Sequence, residues 1–270
     1  MKKIPFYKMQ GSGNDFILID NRRNILKGKS LKDLATTLCH RHYSVGADGL
    51  IVIVPSKKVD FKWRFFNADG SEAGMCGNGS RCAARFAFIK KIAKKDIAFE
   101  TLAGIIHAQV KPRSVKVQLT GAAGLRMNIA VPLDSGTRMG HYIDTGVPHL
   151  VYLSKDIDNE DVDRVGRTTR YHELFKPAGT NVNFIQIDSK RKLRIRTYER
   201  GVEGETLACG TGSVAGALIA GALGAVFSPV EVHTRGGETL TVSFERSAEA
   251  FSGIYLEGNA EVICEGTLYI

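Results

Sequence analysis

The chain has 270 residues, of which 43% are hydrophobic and 24% charged, and its formal net charge is +9. This composition is globular, and the length suits two domains that are each large enough for a core. No apolar run approaches the roughly 20 residues that span a bilayer, and no apolar segment follows the basic N-terminus. We therefore expect a cytoplasmic protein without a signal peptide or a membrane partner.

The five cysteines are odd in number and lack the paired spacing of a zinc site, so the sequence predicts neither a disulfide framework nor a bound metal. Three of them stand in apolar or helical surroundings and are predicted to be core residues: Cys39, Cys82 and Cys264. The basic residues are scattered, and the single tryptophan, Trp63, lies inside a strand pattern. A nucleic-acid-binding module, the alternative that the charge suggests, needs clustered basic residues and aromatic platforms.

The first half is predicted to mix strands with helices. Strands at Phe6 to Gln10 and Phe16 to Asp20 flank the turn Gly11-Ser12-Gly13-Asn14-Asp15. Ser30-Leu31-Lys32-Asp33 resembles a capping box and begins a helix with an apolar inner side. Further strands are predicted at Leu50 to Val54, Asp60 to Phe66, Ile97 to Thr101, Ile105 to Val110 and Val115 to Leu119.

The second half repeats this pattern without a low-complexity linker between the halves. Its predicted strands are Tyr142 to Thr145, Leu150 to Leu153, Asn183 to Ile187, Leu193 to Tyr198, Val230 to His233 and Thr239 to Phe244. Two similar α/β domains around a cleft fit this arrangement best.

One short phrase occurs in both halves and opens an apolar helix each time: Cys76-Gly77-Asn78-Gly79-Ser80 and Cys209-Gly210-Thr211-Gly212-Ser213. A helix that is apolar nearly all round is buried on nearly all sides, so each is predicted to be the central helix of its domain, wrapped by a mixed sheet. Backbone N–H groups at a helix start stabilise a thiolate or a carboxylate. The repeat therefore predicts a reactive thiol and an anion cradle in each half.

Two thiols on opposite sides of one carbon are suited to inverting a stereocentre. One thiolate removes the hydrogen as a base, and one thiol returns a proton to the other face as an acid. A thiol has a pKa of about 8.5 that is lowered to roughly 3.5–7.5 at helix starts, so a thiolate is accessible at neutral pH. The sequence thus predicts a racemase or epimerase that needs no cofactor.

Eight phrases in order along nearly the whole chain resemble the diaminopimelate epimerase family. They are Gly11-Ser12-Gly13-Asn14-Asp15-Phe16, Gly46-Ala47-Asp48-Gly49, Phe66-Asn67-Ala68-Asp69-Gly70-Ser71, Met75-Cys76-Gly77-Asn78-Gly79-Ser80-Arg81-Cys82, Gly146-Val147-Pro148-His149, Gly179-Thr180-Asn181-Val182-Asn183-Phe184, Tyr198-Glu199-Arg200-Gly201 and Ala208-Cys209-Gly210-Thr211-Gly212. The resemblance implies a PLP-independent homodimeric enzyme that converts LL- to meso-diaminopimelate for lysine and peptidoglycan synthesis. It also implies two pseudo-symmetric domains, 1–115 and 116–262, with the chain end at about 263–270 returning to the first.

The resemblance also implies roles for individual residues. Cys209 would accept the proton and Cys76 would donate it, while His149 and Glu199 would adjust the two thiols. The backbone N–H groups of Gly77, Asn78, Gly210 and Thr211 would hold the reacting carboxylate. The distal amino-acid end would be held by Asn14, Asn67, Asn181 and Arg200, and also by the backbone of Glu199.

Two positions depart from the family pattern. Some members carry a Gln where Gly49 stands and an Asn where Val147 stands, and both would contact the substrate. The nearest alternative is therefore a racemase of histidine, glutamate or lysine on the same scaffold. A phenazine-biosynthesis-like isomerase shares the duplicated architecture, but it has no need of two symmetry-related cysteines.

Overall fold

The computed structural model describes residues 2–119, 121–134, 136–247 and 250–270. The chain divides into two compact units, one formed by Met1–Gln118 with Glu257–Ile270 and the other by Leu119–Leu256. The predicted boundaries at 115/116 and 262/263 lie inside two strands, Ser114–Gln118 and Glu261–Tyr269, and the units divide a few residues away from them.

The chain begins with eight strands and two helices of the first unit. They are β1 (Lys3–Gly11), β2 (Asn14–Asp20), α1 (Leu31–Cys39), β3 (Gly49–Val54), β4 (Phe61–Asn67), β5 (Glu72–Ala73), α2 (Gly77–Ile89), β6 (Asp96–Thr101), β7 (Gly104–Val110) and β8 (Ser114–Gln118). The hydroxyl of Ser30 accepts a hydrogen bond from the N–H of Asp33 (3.3 Å), which confirms the predicted cap of α1.

The second unit follows with β9 (Ala123–Leu133), β10 (Gly136–Asp144), β11 (Pro148–Leu153), α3 (Val162–Arg170), β12 (Asn181–Ser189), β13 (Lys192–Glu199), β14 (Gly204–Thr206), α4 (Gly210–Ala222), β15 (Val230–His233) and β16 (Thr239–Arg246). A short 3-10 turn, Glu173–Phe175, follows α3. Strand β17 (Phe251–Asn259) crosses the division between the units, and β18 (Glu261–Tyr269) belongs to the first.

Seven successive strands have the same order and the same directions in the two units, and the first unit adds β8 at the end of this series. In the first unit the order is β18, β1, β2, β3, β4, β6, β7 and β8, with β5 beside β4, and the pairs β2/β3 and β4/β6 are parallel. In the second the order is β9, β10, β11, β12, β13, β15 and β16, with β14 beside β13, and β11/β12 and β13/β15 are parallel. This correspondence confirms the predicted pseudo-symmetric α/β fold.

One helix in each unit is enclosed by strands of that unit. Helix α2 contacts β1, β2 and β3 from one end of its sheet and β7 and β8 from the other, so the sheet curves around it. Helix α4 contacts β10 to β13 as well as β15 and β16. Their predicted role as central helices is confirmed by burial along most of their length. Among the described residues, no helix is long and apolar enough to cross a membrane.

The structure corrects the prediction for Cys264, and it has four strands that the sequence did not predict: β5, β9, β14 and β17. Cys39 and Cys82 are buried as predicted, but Cys264 is exposed, because β18 pairs along β1 with both of its faces largely open. Strand β9 was not predicted, since it contains Gly124, Asn128 and Pro132 and buries only Val131. Its alternation of apolar and polar residues is therefore weak, and pairing with β10 is what makes it a strand.

Candidate active site

The two repeated cysteines occupy the same position in the two units. Cys76 and Cys209 are the N-cap residues of α2 and α4, and both have an extended backbone. Each sulfur accepts a hydrogen bond from the backbone N–H three residues later, Gly79 in one unit and Gly212 in the other, at 3.4 Å. The N–H groups of the two residues between cap and glycine have no acceptor within the helix. Each unit therefore presents a thiol beside backbone donors.

The glycine three residues after each cysteine is needed for different reasons. A Cβ on Gly212 would lie 2.4 Å from Oδ1 of Asn183 and 3.3 Å from the sulfur of Cys209. A Cβ on Gly79 would lie 3.2 Å from the end of the Ile51 side chain. The second turn is thus packed against a polar atom, and the first against a movable methyl group.

Polar side chains of the first unit form a chain that ends at α2. The amide nitrogen of Asn78 donates to Oδ1 of Asn14 (2.6 Å), and the amide nitrogen of Asn14 donates to Oδ2 of Asp48 (3.0 Å). Asp48 also accepts hydrogen bonds from the guanidinium of Arg41 (2.7 Å) and from the backbone N–H of Asp15 (3.2 Å). The start of α2 is therefore linked to a salt-bridged carboxylate.

This chain continues into a buried ion pair. Lys8 is only 8% exposed and lies 2.8 Å from Asp15, and it also donates to the carbonyl of Gly46. Burial acts to raise the pKa of Asp15, but hydrogen bonds from Arg41 and Lys8 outweigh it and hold that pKa at about 2. Asp15 is therefore an anion at any working pH, and it anchors the loop that carries Asp48.

The hairpin between β1 and β2 brings Asn14 to α2. Its two-residue loop, Ser12-Gly13, has φ values of 56° and 84°, and both lie in the left-handed region. A Cβ on Gly11 would lie 3.2 Å from the carbonyl oxygen of Asn78, so a glycine there permits the close approach of strand and helix. The hydroxyl of Ser12 accepts from the fully buried guanidinium of Arg81.

Asn67, a predicted substrate contact, lies in an exposed turn. Its amide nitrogen donates to the hydroxyl of Ser71 (2.9 Å), and that hydroxyl donates to Asp69 (2.6 Å). The backbone of Asn67 also closes the turn, donating to the carbonyl of Ser71 and accepting from Gly70. These bonds account for an asparagine at this position within the first unit, and a substrate contact stays a prediction.

His149 in the second unit is completely buried. The amide nitrogen of Asn183 lies 3.1 Å from its Nδ1 and also donates to the carbonyl of Leu150 (3.2 Å). Because that carbonyl can only accept, the nitrogen of Asn183 is fixed on this side, while its oxygen accepts from the hydroxyl of Thr197 (3.0 Å). Nδ1 of His149 is therefore an acceptor, and the proton of the neutral ring is on Nε2.

The electrostatics of His149 agree with this tautomer. Burial, followed by the charge of Arg200, lowers its pKa from 6.5 to about 3, so the ring is neutral at working pH. Its Nε2 atom is buried without a hydrogen-bond partner in the described part of the chain. The second unit thus holds a neutral N–H donor ready for an acceptor.

The other predicted residues of the second unit are tied into its backbone. Asn181 donates to the carbonyl of Pro148 (2.9 Å) and accepts from the backbone N–H of Arg200 (2.8 Å). Arg200 donates to the carbonyl of Ala178 (3.1 Å). The carbonyl of Glu199 accepts from the N–H groups of Val202 and Glu203 within a turn. These bonds account for the conformation of the turn, and a contact between the Glu199 carbonyl and a distal ammonium stays a prediction.

The space at Gly49 is already filled. A Cβ there would lie 2.6 Å from the ring of Phe65 and 2.7 Å from the carbonyl of Phe66. A glutamine would therefore not fit without movement of that ring and of the backbone at Phe66. The glycine and the phenylalanine are matched in this chain.

Three residues that support the site were missed by reasoning from the sequence. Asp48 and Asn183 lie inside the family phrases, but no pattern marked them as bonding partners of Asn14 and His149. Arg81 lies on an apolar helix, where a buried cation was a usable signal. Among the described residues, no group of three or more His, Cys, Asp or Glu side chains is arranged to hold a metal ion.

The fold belongs to a known class of two-unit α/β proteins. The chain superposes on a phenazine biosynthesis protein of the PhzF family from Bacillus anthracis with a TM-score of 0.75, at 18% identity over 100% of both chains. A hydroxyproline epimerase from Agrobacterium vitis matches with a TM-score of 0.72, at 15% identity over 99% of this chain and 92% of that chain. At such identities these likenesses show the fold alone.

Sequence comparison identifies the family within that class. The diaminopimelate epimerase profile matches residues 6–125 and 141–263. Diaminopimelate epimerases from Hydrogenobaculum sp. and Aquifex aeolicus are 51% and 47% identical, over 97% and 98% of this chain and of their own lengths. One from Archaeoglobus fulgidus is 42% identical over 98% of this chain and 96% of its own length. The chain belongs to the diaminopimelate epimerase family, and it is an isomerase.

Proposed function

We propose that this enzyme inverts one stereocentre of LL-2,6-diaminopimelate to give the meso isomer, using Cys76 and Cys209 and no cofactor. The observation that carries the proposal is the thiol at the start of a buried helix in both units, each with a backbone N–H at 3.4 Å from sulfur. The reaction serves lysine and peptidoglycan synthesis, the pathways in which this substrate and product occur.

The proton moves between the two thiols through the substrate. The thiolate of Cys209 takes the α-hydrogen, and the electron pair of the broken C–H bond remains on carbon and spreads into the carboxylate. The thiol of Cys76 then gives its proton to the opposite face of that carbon, forming the new C–H bond and leaving a thiolate. The reverse reaction exchanges these roles. This scheme requires the two units to bring both sulfurs to the same carbon.

The developing charge falls on the substrate carboxylate. The N–H groups of Gly77 and Asn78 at the start of α2, and of Gly210 and Thr211 at the start of α4, are oriented donors at positive helix ends. Such donors stabilise the transition state without reorganisation. In the second turn, the carbonyl of Thr211 is held by the hydroxyl of Thr145 (3.1 Å).

The remaining side chains divide between the two ends of the substrate. Arg200 and Asn181 keep N–H groups beyond the bonds that anchor them, and we assign them, with Asn67, to the distal carboxylate. Asn14 is bonded to Asn78, two residues from Cys76, which favours a place at the reacting end instead. His149 and Glu199 adjust the thiols.

A racemase of histidine, glutamate or lysine is the second candidate. The observation that favours it is the ring of Phe65 in the space beside Gly49, which changes a predicted contact surface. The charge of Arg200 favours diaminopimelate, because its second amino-acid head supplies a carboxylate that histidine and lysine lack.

Deuterium uptake from heavy water at Cα separates these candidates. Enzyme is incubated with LL-diaminopimelate, histidine, glutamate and lysine, and both substrate and inverted product are analysed by mass spectrometry. We expect diaminopimelate to react fastest, with deuterium in the meso product while unreacted substrate is still unlabelled, since the donating thiol exchanges with solvent. Faster exchange of another amino acid would assign the chain to the racemase.

The proximity of the two thiols has its own test. Mild oxidation is expected to inactivate the enzyme reversibly through a Cys76–Cys209 disulfide, detected by peptide mass spectrometry and removed by reductant. A fully active enzyme after oxidation, with no such peptide, would contradict the two-base scheme. We also propose a cytoplasmic homodimer, which sedimentation of the purified protein tests.

A further inference from the structure

The side-chain hydrogen bonds that link Asp48, Asn14 and Asn78 can run in only one direction, with each asparagine nitrogen as the donor. An asparagine amide can be rotated so that its oxygen and nitrogen exchange places, so the direction must be set by a group of fixed character. Asp48 is that group, because Arg41 and the backbone N–H of Asp15 both donate to it. Asn14 therefore presents its nitrogen to Asp48 and its oxygen to Asn78.

The same reasoning fixes Asn78. Since Oδ1 of Asn14 can only accept, Asn78 presents its nitrogen to it at 2.6 Å, and its own Oδ1 points elsewhere. That oxygen is buried without a hydrogen-bond partner in the described residues, on a side chain that is 5% exposed. A buried carbonyl oxygen without a donor is unfavourable, so a donor that binds next to it is strongly preferred.

The position of this oxygen indicates which donor. Asn78 is the second residue of α2, and its neighbour Gly79 bonds the sulfur of Cys76. The first turn of α2 therefore offers N–H groups that suit a carboxylate and, beside them, one acceptor that suits a cationic N–H. A carboxylate and an ammonium on one carbon is the arrangement of an α-amino acid.

We infer that Oδ1 of Asn78 accepts a hydrogen bond from the ammonium at the centre that inverts, and that Asp48, acting through Asn14, is the positioning residue that turns this oxygen toward it. The inference rests on the proposed function. A neutral amide oxygen holds the ammonium in place without taking its proton, so the cation stays beside the carbon whose hydrogen is removed.

Paired ligands test the contact directly. In a Cys209→Ser background, where substrate binds without turnover, calorimetry measures the Kd of LL-diaminopimelate and of an analogue with hydrogen in place of the reacting ammonium. We expect Asn78→Leu to weaken diaminopimelate by about 10- to 100-fold and the analogue by less than about 3-fold, as for a hydrogen bond to a charged group. Equal weakening of both ligands, or of neither, would overturn the inference.

Two further variants cover a failure of Asn78→Leu to fold. Asn78→Ala removes the same oxygen with a smaller side chain, so we expect it to weaken diaminopimelate about 10- to 100-fold and the analogue by less than about 3-fold. Asp48→Asn removes the fixed acceptor, and we expect it to weaken diaminopimelate about 3- to 10-fold with the analogue unchanged. The matched control is Asp60→Asn, another carboxylate of the first unit that accepts a backbone N–H, and it should change neither Kd.

The two proposals fail in different ways. If wild-type enzyme does not epimerise LL-diaminopimelate, the proposed function is wrong whatever Asn78 does. If wild-type enzyme is active and the two ligands respond alike to all three variants, the proposed function stands and the role of Asn78 is wrong.

Discussion

The two thiol turns are nearly the same in backbone and differ in what supports them. In both, a cysteine caps a buried helix and its sulfur accepts from an N–H at 3.4 Å. Behind the first turn lies an ionic network that runs from Lys8 and Asp15 through Asp48 to Asn14. Behind the second lies a neutral set, His149, Asn183 and Thr197.

The two units share the thiol at the start of their central helix and differ in the groups behind it. The proposed two-base scheme needs a thiol in both units, because removing and returning a proton require the same kind of group. The buried polar groups behind the thiols are stabilised differently in the two units. Charges in the first unit are paired, whereas the imidazole in the second is held neutral. The first unit presents a buried acceptor, Asn78 Oδ1, and the second a buried donor, His149 Nε2.

The largest effect tests what the two turns share. Cys76→Ser and Cys209→Ser are each expected to lower epimerisation by at least about 1,000-fold, because a hydroxyl is too weak an acid to replace a thiolate at neutral pH. The assay is the rate of formation of the meso isomer. Cys264→Ser, at an exposed cysteine of β18, is the control and should be fully active. If one of the two active-site variants were fully active, the reaction would use a single base, and the two thiols would not have equivalent roles.

The second prediction concerns the neutral support. Asn183→Asp replaces the donor to Nδ1 of His149 by an acceptor, so Nδ1 must carry a proton. We expect about 10- to 100-fold slower turnover from the displaced ring and a raised pKa of His149, seen as a new acidic limb in the pH–rate profile. Imidazole ¹⁵N shifts report the tautomer independently of activity. If the proton of His149 were on Nε2 in both the wild type and Asn183→Asp, Asn183 would not set the tautomer.

A third prediction compares the two glycines. Gly212→Ala forces a methyl group against Oδ1 of Asn183, and we expect a loss of about 1–3 kcal/mol in the free energy of unfolding with reduced activity. Gly79→Ala makes its one tight contact with the end of Ile51, while Cys76 and Phe16 lie at ordinary van der Waals distances. Helix propensity offsets part of the cost, so a loss of less than about 1 kcal/mol is expected. Urea unfolding of the two variants measures the difference. Equal losses would mean that the turns are packed alike.

The smallest expected effect is on the pH dependence of the free energy of unfolding, which differs between His149 in the second unit and Asp15 in the first. The pKa of His149 is about 3 in the folded protein and near 6.5 when unfolded, so only the unfolded chain binds this proton between those values. Stability should therefore fall as pH drops below 6.5, by at most about 1.4 kcal/mol per pH unit from this group. Asp15 has a lowered pKa of about 2, so its contribution is complete above 3.8 and is lost only below that pH.

Urea unfolding at pH 7, 6 and 5 measures this slope. His149→Asn should flatten it, since the titrating group is gone, whereas Asp15→Asn should lower stability equally at all three pH values. An unchanged slope in His149→Asn would show that other groups cause the acid sensitivity.

Much of the architecture was predictable because it depends on patterns among residues that are close in the sequence. Strand β15 was predicted with both its ends, and the cap at Ser30 follows from its capping-box residues. The two central helices follow from the segments, apolar nearly all round, that come after the repeated cysteine phrase. Strand β9 and the exposure of Cys264 were not predictable, because a strand with open faces lacks an apolar pattern and is defined by its partner.

The sequence by itself determined the family, the duplication, and the two cysteines at helix starts, since these depend on residues that are neighbours in the chain. Only the tertiary structure decided which amide faces which partner. Asn14 meets Asp48, and His149 meets Asn183, across 34 positions in each case. The direction of a hydrogen bond between such residues depends on strand register and on the fixed character of its end group, and neither can be read from the order of the residues.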